Sequence, residues 1–438
     1  MEFYDDGVYY YQGLPDDLDN LKSYDAIKSI IDPPLTDNQS VDLLKALLFK
    51  RTAILYSTGL GKTYLATAFV KALMNKKGNT KTLMFVLKSQ EDETPRKIKN
   101  ISGLRTKMFT GETRPLLNSS DIDNNDVIMM SHSCLTSLDH MDNLLAYINK
   151  FDCLIIDEVH KLTNFETSIS GFMLYSIAYS FEYVLALTAT PITTDLEQFA
   201  RLLKLVVPNQ TGNFRKLGSS LKRSGLGALT SSLHDNYIVR ERDISHHNGI
   251  ADFIKPMPHQ VGADGRDLFK ITKGPGAYKQ ANRVFELINE RRPRKGIIYA
   301  NITEIREFLL EELKKRGVKV EGIFGNTKKE DRTRILEKFN NSELETLIIN
   351  TKESLDMDSD YVIFYEYTPH VKQVIGRAER GFNMKPLDVI WMFTEDTGEW
   401  DSFIRNQYNI SQDIQEILGT DLRDVLQLRF NRGDSNVY

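Results

Sequence analysis

Cysteine is scarce in this sequence: 438 residues hold only Cys134 and Cys153. Two cysteines cannot build a disulfide framework or a zinc cluster, and both lie in apolar runs, which suits small core residues in a reducing compartment. Long apolar runs are missing too. No stretch approaches the roughly 18 residues that cross a bilayer, and the acidic start, Met1 to Asp6, has neither the basic nor the apolar part of a leader peptide. A cytoplasmic protein without membrane association is therefore expected. The third absence is a large excess of one charge. A net charge of −4 argues against coating nucleic acid by bulk electrostatics. Its distribution qualifies that argument, because residues 1–40 hold nine acids against two bases, leaving 54 bases against 51 acids in the remainder.

What is present is ordinary globular composition, 41% hydrophobic and 26% charged, in a chain long enough for two or three domains at roughly 150 residues each. Short β-rich apolar runs alternate with helical stretches from Ala53 to Pro208. The runs are 53–56, 82–87, 127–130, 153–156 and 183–187. After an irregular segment rich in Gly, Ser, His and Pro, the alternation resumes at 296–299, 320–324, 346–349, 361–364 and 389–393. Continuous apolar strands separated by helices predict mostly parallel sheets covered by helices on both faces. The expected organisation is an acidic, tyrosine-rich segment at 1–34, an α/β domain at 35–208, an irregular insert at 209–276, a second α/β domain at 277–405, and a brace helix and tail at 406–438.

Four motifs carry chemistry. The first strand runs into Ser57-Thr58-Gly59-Leu60-Gly61-Lys62-Thr63 and then into a helix. Glycines allow a backbone curl whose N–H groups face phosphate oxygens, the lysine reaches the outer phosphates, and the threonine hydroxyl takes Mg2+. Tyr56 stands where the general pattern has its first glycine. The fourth run ends in Asp157-Glu158-Val159-His160, 95 residues beyond Lys62. Carboxylates at the C-terminal tip of a parallel strand lie where such sheets bind ligands; Asp157 suits the metal and Glu158 the attacking water. The third motif is Thr188-Ala189-Thr190-Pro191. The fourth is Gln373-Val374-Ile375-Gly376-Arg377-Ala378-Glu379-Arg380, whose arginines share one helical face.

In this order, the four motifs resemble those of the superfamily 2 helicases and translocases, over roughly residues 35–405. The resemblance implies two RecA-like domains and an ATP-hydrolysing site that uses Mg2+. Thr58 to Thr63 would cradle the phosphates, with Gln373 also on the nucleotide. Arg377 and Arg380 would meet the γ-phosphate from the second domain, and His160, Thr188 and Thr190 would couple hydrolysis to movement. Leu35-Thr36-Asp37-Asn38-Gln39 resembles the family's glutamine motif, which implies that Gln39 reads the adenine edge.

Gly59-Leu60-Gly61-Lys62-Thr63, the passage from Thr190 to Pro208, Tyr237-Ile238-Val239-Arg240 and Thr397 to Ile404 resemble the Snf2-like branch, whose members are typically duplex-DNA translocases. The compact form is similar to phage- or virus-encoded members. An RNA helicase, a branch-migrating DNA helicase and an ATP-switched scaffold are the alternatives. Two departures stand out: Lys88-Ser89-Gln90 replaces a usual proline, and the loop 350–356 has no glycine.

Nucleic acid, duplex DNA above all, is the expected partner of a monomer. The candidate contacts are loop residues at strand ends: Lys88, Ser89, Thr110, Gly111, Ser131, Asn301, Thr351, Lys352 and Ser354. His132 is read as structural. Arg215, Lys216, Lys222 and Arg223 form a candidate duplex grip, whereas Arg291 to Lys295 read as a solvated face. The acidic start reads most simply as a packed strand with an acidic turn, and is also a candidate dock for a protein partner.

Overall fold

The computed structural model describes residues 24–191, 196–208, 236–240, 248–254, 275–325, 327–350, 357–366, 371–378 and 386–395. They fall into two units, divided between Glu241 and Arg242. Each unit is built on one parallel sheet.

In the first unit, helices α1 (Tyr24–Lys28) and α2 (Asp37–Phe49) precede β1 (Arg51–Tyr56) and α3 (Lys62–Lys77). Then come β2 (Thr82–Val86), α4 (Glu93–Ser102), β3 (Thr106–Phe109), α5 (Ser119–Asn124), β4 (Val127–Ser131), α6 (Leu138–Tyr147) and β5 (Cys153–Ile156). The unit ends with α7 (Ile169–Ala178), β6 (Tyr183–Thr188), α8 (Leu196–Val206) and β7 (Tyr237–Arg240). Strand order is β3-β4-β2-β5-β6-β1-β7, with every pairing parallel. Parallel pairing sends each strand's C-terminal end to the same edge, so the loops after β1, β2, β4, β5 and β6 gather there.

The central strands are buried throughout because helices cover both faces, which explains their near-continuous Val, Ile, Leu and Met content. One face packs Ile54, Met84, Met129, Ile155, Leu185 and Leu187 against Leu65, Phe69 and Leu73 of α3 and Leu43, Leu44 and Leu47 of α2. Each such side chain contributes about 1.5–3 kcal/mol on burial. Arg51 anchors the start of β1 by donating to the carbonyls of Ala178, Phe181, Leu205 and Val206, satisfying the open C-terminal ends of α7 and α8.

In the second unit, β8 (Asn248–Ile254), α9 (Pro275–Arg291), β9 (Gly296–Tyr299), α10 (Thr303–Lys315) and β10 (Val320–Ile323) come first. They are followed by α11 (Lys329–Asn340), β11 (Thr346–Ile349), β12 (Tyr361–Phe364), α12 (Val371–Ala378) and β13 (Asp388–Thr394). The order is β10-β11-β9-β12-β13-β8, again all parallel. Alternate residues face opposite cores: Ile297, Val362 and Trp391 pack with Phe339 and Val374, while Ile298, Ile363 and Ile390 pack with Val284 and Leu309. Gly296 is required at the start of β9, since a Cβ there would strike the ring of its cross-strand partner Tyr361.

All ten expected strands are present, and three more join them. β3 escapes the sequence pattern because it is an edge strand whose Thr106, Lys107 and Met108 are only half-buried. β7 and β8 both come from the segment read as an irregular insert, β7 completing the first sheet and β8 lying at the edge of the second. At four and seven residues, among polar and glycine-rich neighbours, neither stands out as an apolar run. The N-terminal segment to residue 23, the insert's basic cluster and the segment 396–438, with its expected brace helix, lie outside the described residues.

Candidate active site

The loop between β1 and α3 curls as its glycines require. Gly59 and Gly61 both have φ of 85°, and Gly61 caps α3 in the left-handed conformation. A Cβ on Gly61 would also strike the amide nitrogen of Gln39. The N–H groups that open α3 therefore face outward at the ligand-binding edge, an arrangement suited to phosphate. Lys62 begins α3 and donates from Nζ to the carbonyl oxygen of Tyr56 at 3.0 Å. Thr63 follows it, half-buried on the first turn.

Gln39 is placed against this loop by the way α2 starts. Thr36 and Gln39 form a reciprocal cap: the Thr36 hydroxyl accepts from Gln39 N at 3.3 Å, and Gln39 Oε1 accepts from Thr36 N at 3.0 Å. The remaining side of the amide, Nε2, donates to the Leu60 carbonyl at 3.0 Å. Gln39 thus ties α2 to the phosphate loop.

Two strands away, Asp157 and Glu158 leave the tip of β5. Asp157 N donates to the Phe85 carbonyl of β2 at 2.9 Å, and Asp157 Oδ1 accepts from Glu158 N at 2.9 Å. Burial, followed by the neighbouring Glu158 charge, raises the Asp157 carboxyl to about 6, and Lys62 offsets only part of this. A buried carboxylate short of positive charge, with Thr63 on the same edge, fits a divalent cation completed by phosphate and water oxygens. Among the described residues no cluster of three or more His, Cys, Asp or Glu side chains suits a metal held by protein alone.

Glu158 is one of the non-glycine residues with positive φ, at 48°. His160 holds the turn from beyond: Nδ1 lies 3.3 Å from Glu158 Oε2, 2.9 Å from Thr188 Oγ1 and 3.4 Å from Thr190 Oγ1. Thr188 Oγ1 also accepts from Thr190 N at 3.0 Å, and Gln198 donates to the His160 carbonyl at 3.2 Å. Thr188 pairs with Leu55 in the sheet, so this chain of contacts runs from the acid pair to the strand beside β1.

The candidate nucleic-acid contacts of the first unit occupy the other half of the same edge. Lys88 is largely exposed and sits 3.8 Å from Glu112. Ser89 is exposed beside it; Thr110 and Gly111 follow β3, with Thr110 N bound to the Thr113 hydroxyl. Ser131 is a correction. It is fully buried, its hydroxyl 2.6 Å from that of Ser133, and Ser133 is the exposed residue that accepts from Gly111 N at 3.3 Å. The last strand residue points inward because β4 is covered on both faces.

In the second unit, Asn301 is exposed after β9, but the backbone N–H groups of Asn301 and Ile302 already donate to Glu366 Oε2, at 2.7 and 3.2 Å. Arg377 is half-buried on α12, and Gln373 lies on the same helix. Arg380, Thr351, Lys352 and Ser354 lie outside the described residues. The cluster expected as a solvated face is exposed at Arg292 and Arg294 and carries surface ion pairs: Arg292 with Glu345 at 2.9 Å, Arg294 with Asp388 at 2.7 Å, and Lys295 with Asp358 at 3.6 Å. It precedes β9, at the edge opposite the strand C-termini, which is why acids at the starts of neighbouring strands reach it.

Sequence reasoning passed over Asp42 and Ser133, read His132 as structural, and met Gln90 only as part of a departure from the family pattern. His132 Nε2 lies 3.0 Å from the Asp157 carbonyl oxygen, and Gln90 acts against burial to favour the charged Asp157 carboxylate. Gln90 was within sight, as the third residue of the loop that departs from the family pattern.

The glycine loop, the acid pair and the His160–Thr188 contact gather on one edge of the first parallel sheet, and Gln373 and Arg377 lie on a helix of the second unit. Residues 27–193 match the family model described as type III restriction enzyme, res subunit, and residues 279–385 match the helicase conserved C-terminal domain. The chain belongs to the superfamily 2 helicases. It is 28% identical over 180 residues to the ATP-dependent DNA helicase MPH1 of Pyricularia oryzae, a match covering 39% of this chain and about a sixth (16%) of that relative's length. The helicase domain of Hef from Pyrococcus furiosus is similar in structure, with a TM-score of 0.54 and 16% identity, over 84% of this chain and 97% of that one. The Sulfolobus solfataricus SWI2/SNF2 ATPase core in complex with dsDNA aligns with a TM-score of 0.45 and 14% identity, over 91% of this chain and 97% of that one.

Proposed function

We propose that this protein is a Mg2+- and nucleic-acid-dependent ATPase that translocates on duplex DNA and remodels DNA or protein–DNA complexes. The observation that carries the reading is the placement of Lys62 and the Asp157–Glu158 pair on one sheet edge, with His160 joining Glu158 to Thr188. In this reading the backbone of Thr58 to Thr63 and the Lys62 ammonium bind the phosphates of ATP. Thr63 and Asp157 hold the metal, which supplies charge neutralisation at the transferring phosphoryl group. Glu158 orients the attacking water and receives its proton. Gln39 contacts the adenine, and Arg377 and Arg380 stabilise charge on the γ-phosphate from the second domain as the domains close.

Duplex DNA is favoured by the Snf2-like details of sequence and by a DNA helicase among the relatives. Phosphate contacts are assigned to Lys88, Ser89, Thr110 and Gly111 in the first domain, and to Asn301, Thr351, Lys352 and Ser354 in the second. A monomer, acting in the cytoplasm and docking a protein through its acidic N-terminal segment, completes the proposal. No helix among the described residues is long and apolar enough to cross a membrane.

The test is Glu158→Gln. The substitution keeps size and polarity but removes the base, so turnover should fall by about 100-fold or more, while ATP binding, followed by a fluorescent analogue, persists. Wild-type turnover in this variant would refute the assignment.

A further inference from the structure

His132 lies outside every motif the function uses, yet its ring is the link between two parts of the sheet edge. It follows Ser131 at the tip of β4, next to Ser133, whose hydroxyl accepts from Gly111 N in a loop assigned to nucleic acid. Its Nε2 reaches the Asp157 carbonyl at 3.0 Å, across the tip of β2, which separates β4 from β5 in the sheet.

The peptide it holds is a strained one. Asp157 N is bound to Phe85 and Asp157 O to His132, so the peptide is fixed on both sides of the residue. Immediately after it, Glu158 adopts φ 48°, ψ 45°, a left-handed conformation that costs a non-glycine residue about 1–3 kcal/mol. Release of the Asp157 carbonyl would let this peptide rotate and take the Glu158 side chain away from His160. An imidazole with its hydrogen on Nε2 donates this bond in either charge state.

A second arm runs from the neighbouring loop. Gln90 follows Lys88 and Ser89 directly; its Oε1 accepts from Leu87 N at 3.4 Å, and its side chain favours the charged form of Asp157. The loop after β4, tied to Gly111 through Ser133, therefore holds the Asp157 backbone through His132, and the loop that carries Lys88 and Ser89 favours the charged Asp157 carboxylate through Gln90.

We propose that His132 and Gln90 are positioning residues through which nucleic acid bound at the tips of β2 and β3 sets the peptide geometry of Asp157 and Glu158, and so the rate of ATP hydrolysis. The inference rests on the function proposed above. It adds a physical route for the coupling that passes through residues no motif contains.

The experiment uses the full chain with linear duplex DNA. The kcat and KM for ATP are measured without DNA and at saturating DNA, alongside the Kd for DNA with and without a non-hydrolysable ATP analogue. His132→Phe keeps an aromatic ring and removes the donor; His132→Gln restores a donor; Gln90→Ala tests the second arm independently of core packing. The ratio of stimulated to unstimulated kcat should fall roughly 3- to 30-fold in His132→Phe and Gln90→Ala. His132→Gln should recover part of it, while the Kd for DNA alone stays within about twofold. Because binding linkage is reciprocal, the effect of the analogue on DNA affinity should shrink in the same variants. Wild-type stimulation ratios in both variants would overturn the inference while leaving the proposed function intact. So would a loss of DNA affinity matching the loss of rate, which would make these residues contacts. A wild-type protein unstimulated by any nucleic acid would instead refute the function itself.

Discussion

Arg240, the last residue of β7, grips Asp42 of α2 with two parallel hydrogen bonds of 2.7 Å each. Asp42 is buried, and it also accepts from the Tyr56 hydroxyl at 2.5 Å. Burial, then the Asp42 charge, pushes the Tyr56 phenol far above its ordinary value, so it remains a donor. Tyr56 is the residue that replaces the first glycine of the phosphate loop, and its carbonyl receives Lys62. The three side chains join the glutamine-motif helix, the start of the loop and the edge strand of the first sheet.

This geometry predicts unequal costs for removing the partners. Arg240→Ala would strand a buried carboxylate, destabilising the first domain by about 3–5 kcal/mol. Asp42→Ala leaves Arg240, which is 36% exposed, able to turn to water, and should cost less, about 1–3 kcal/mol. Chemical denaturation of the three proteins side by side measures the order; Asp42→Ala proving the more damaging would contradict it.

Gly61 makes a second prediction. Alanine there meets two obstacles, the left-handed backbone and the Gln39 amide. Gly61→Ala should cost about 1–3 kcal/mol of stability and weaken ATP binding. In the double variant with Gln39→Ala the steric part disappears and the backbone part remains, so the two effects should fall short of additivity in a double-mutant cycle. Strict additivity would mean that Gln39 does not crowd the loop.

The exposed pair of Lys88 and Glu112, 3.8 Å apart, is worth little as an ion pair and is easily given up to phosphate. Lys88→Ala should lower DNA affinity and reduce the slope of log K against log salt by about 1. Glu112→Gln should raise affinity at low salt. An unchanged slope in Lys88→Ala would remove this residue from the interface.

Much of this was readable in the sequence because the physics is local. Gly59, Gly61 and Lys62 act within one turn, and ten buried strands announce themselves as apolar runs. What stayed hidden depends on contacts far apart in the chain. Asp42 and Arg240 are 198 residues apart, and neither belongs to a recognisable pattern with the other. His132 reads as an isolated histidine until β2 is seen between β4 and β5. Ser131 was misread for a simpler reason: strand-end position does not say which way a side chain points, and covering the sheet on both faces turns this one inward. The solvated face at Arg291 to Lys295 was legible, but its ion pairs were not, because Glu345, Asp358 and Asp388 come from strands or loops paired only in the folded sheet.

The central claim, that ATP hydrolysis at Lys62, Asp157 and Glu158 is driven by nucleic acid, is tested most directly by a steady-state ATPase panel. Duplex DNA, single-stranded DNA, forked DNA and RNA are added to the same preparation at equal nucleotide concentration. The account predicts stimulation by nucleic acid with duplex DNA the strongest; hydrolysis at one rate in all four and in their absence would contradict it.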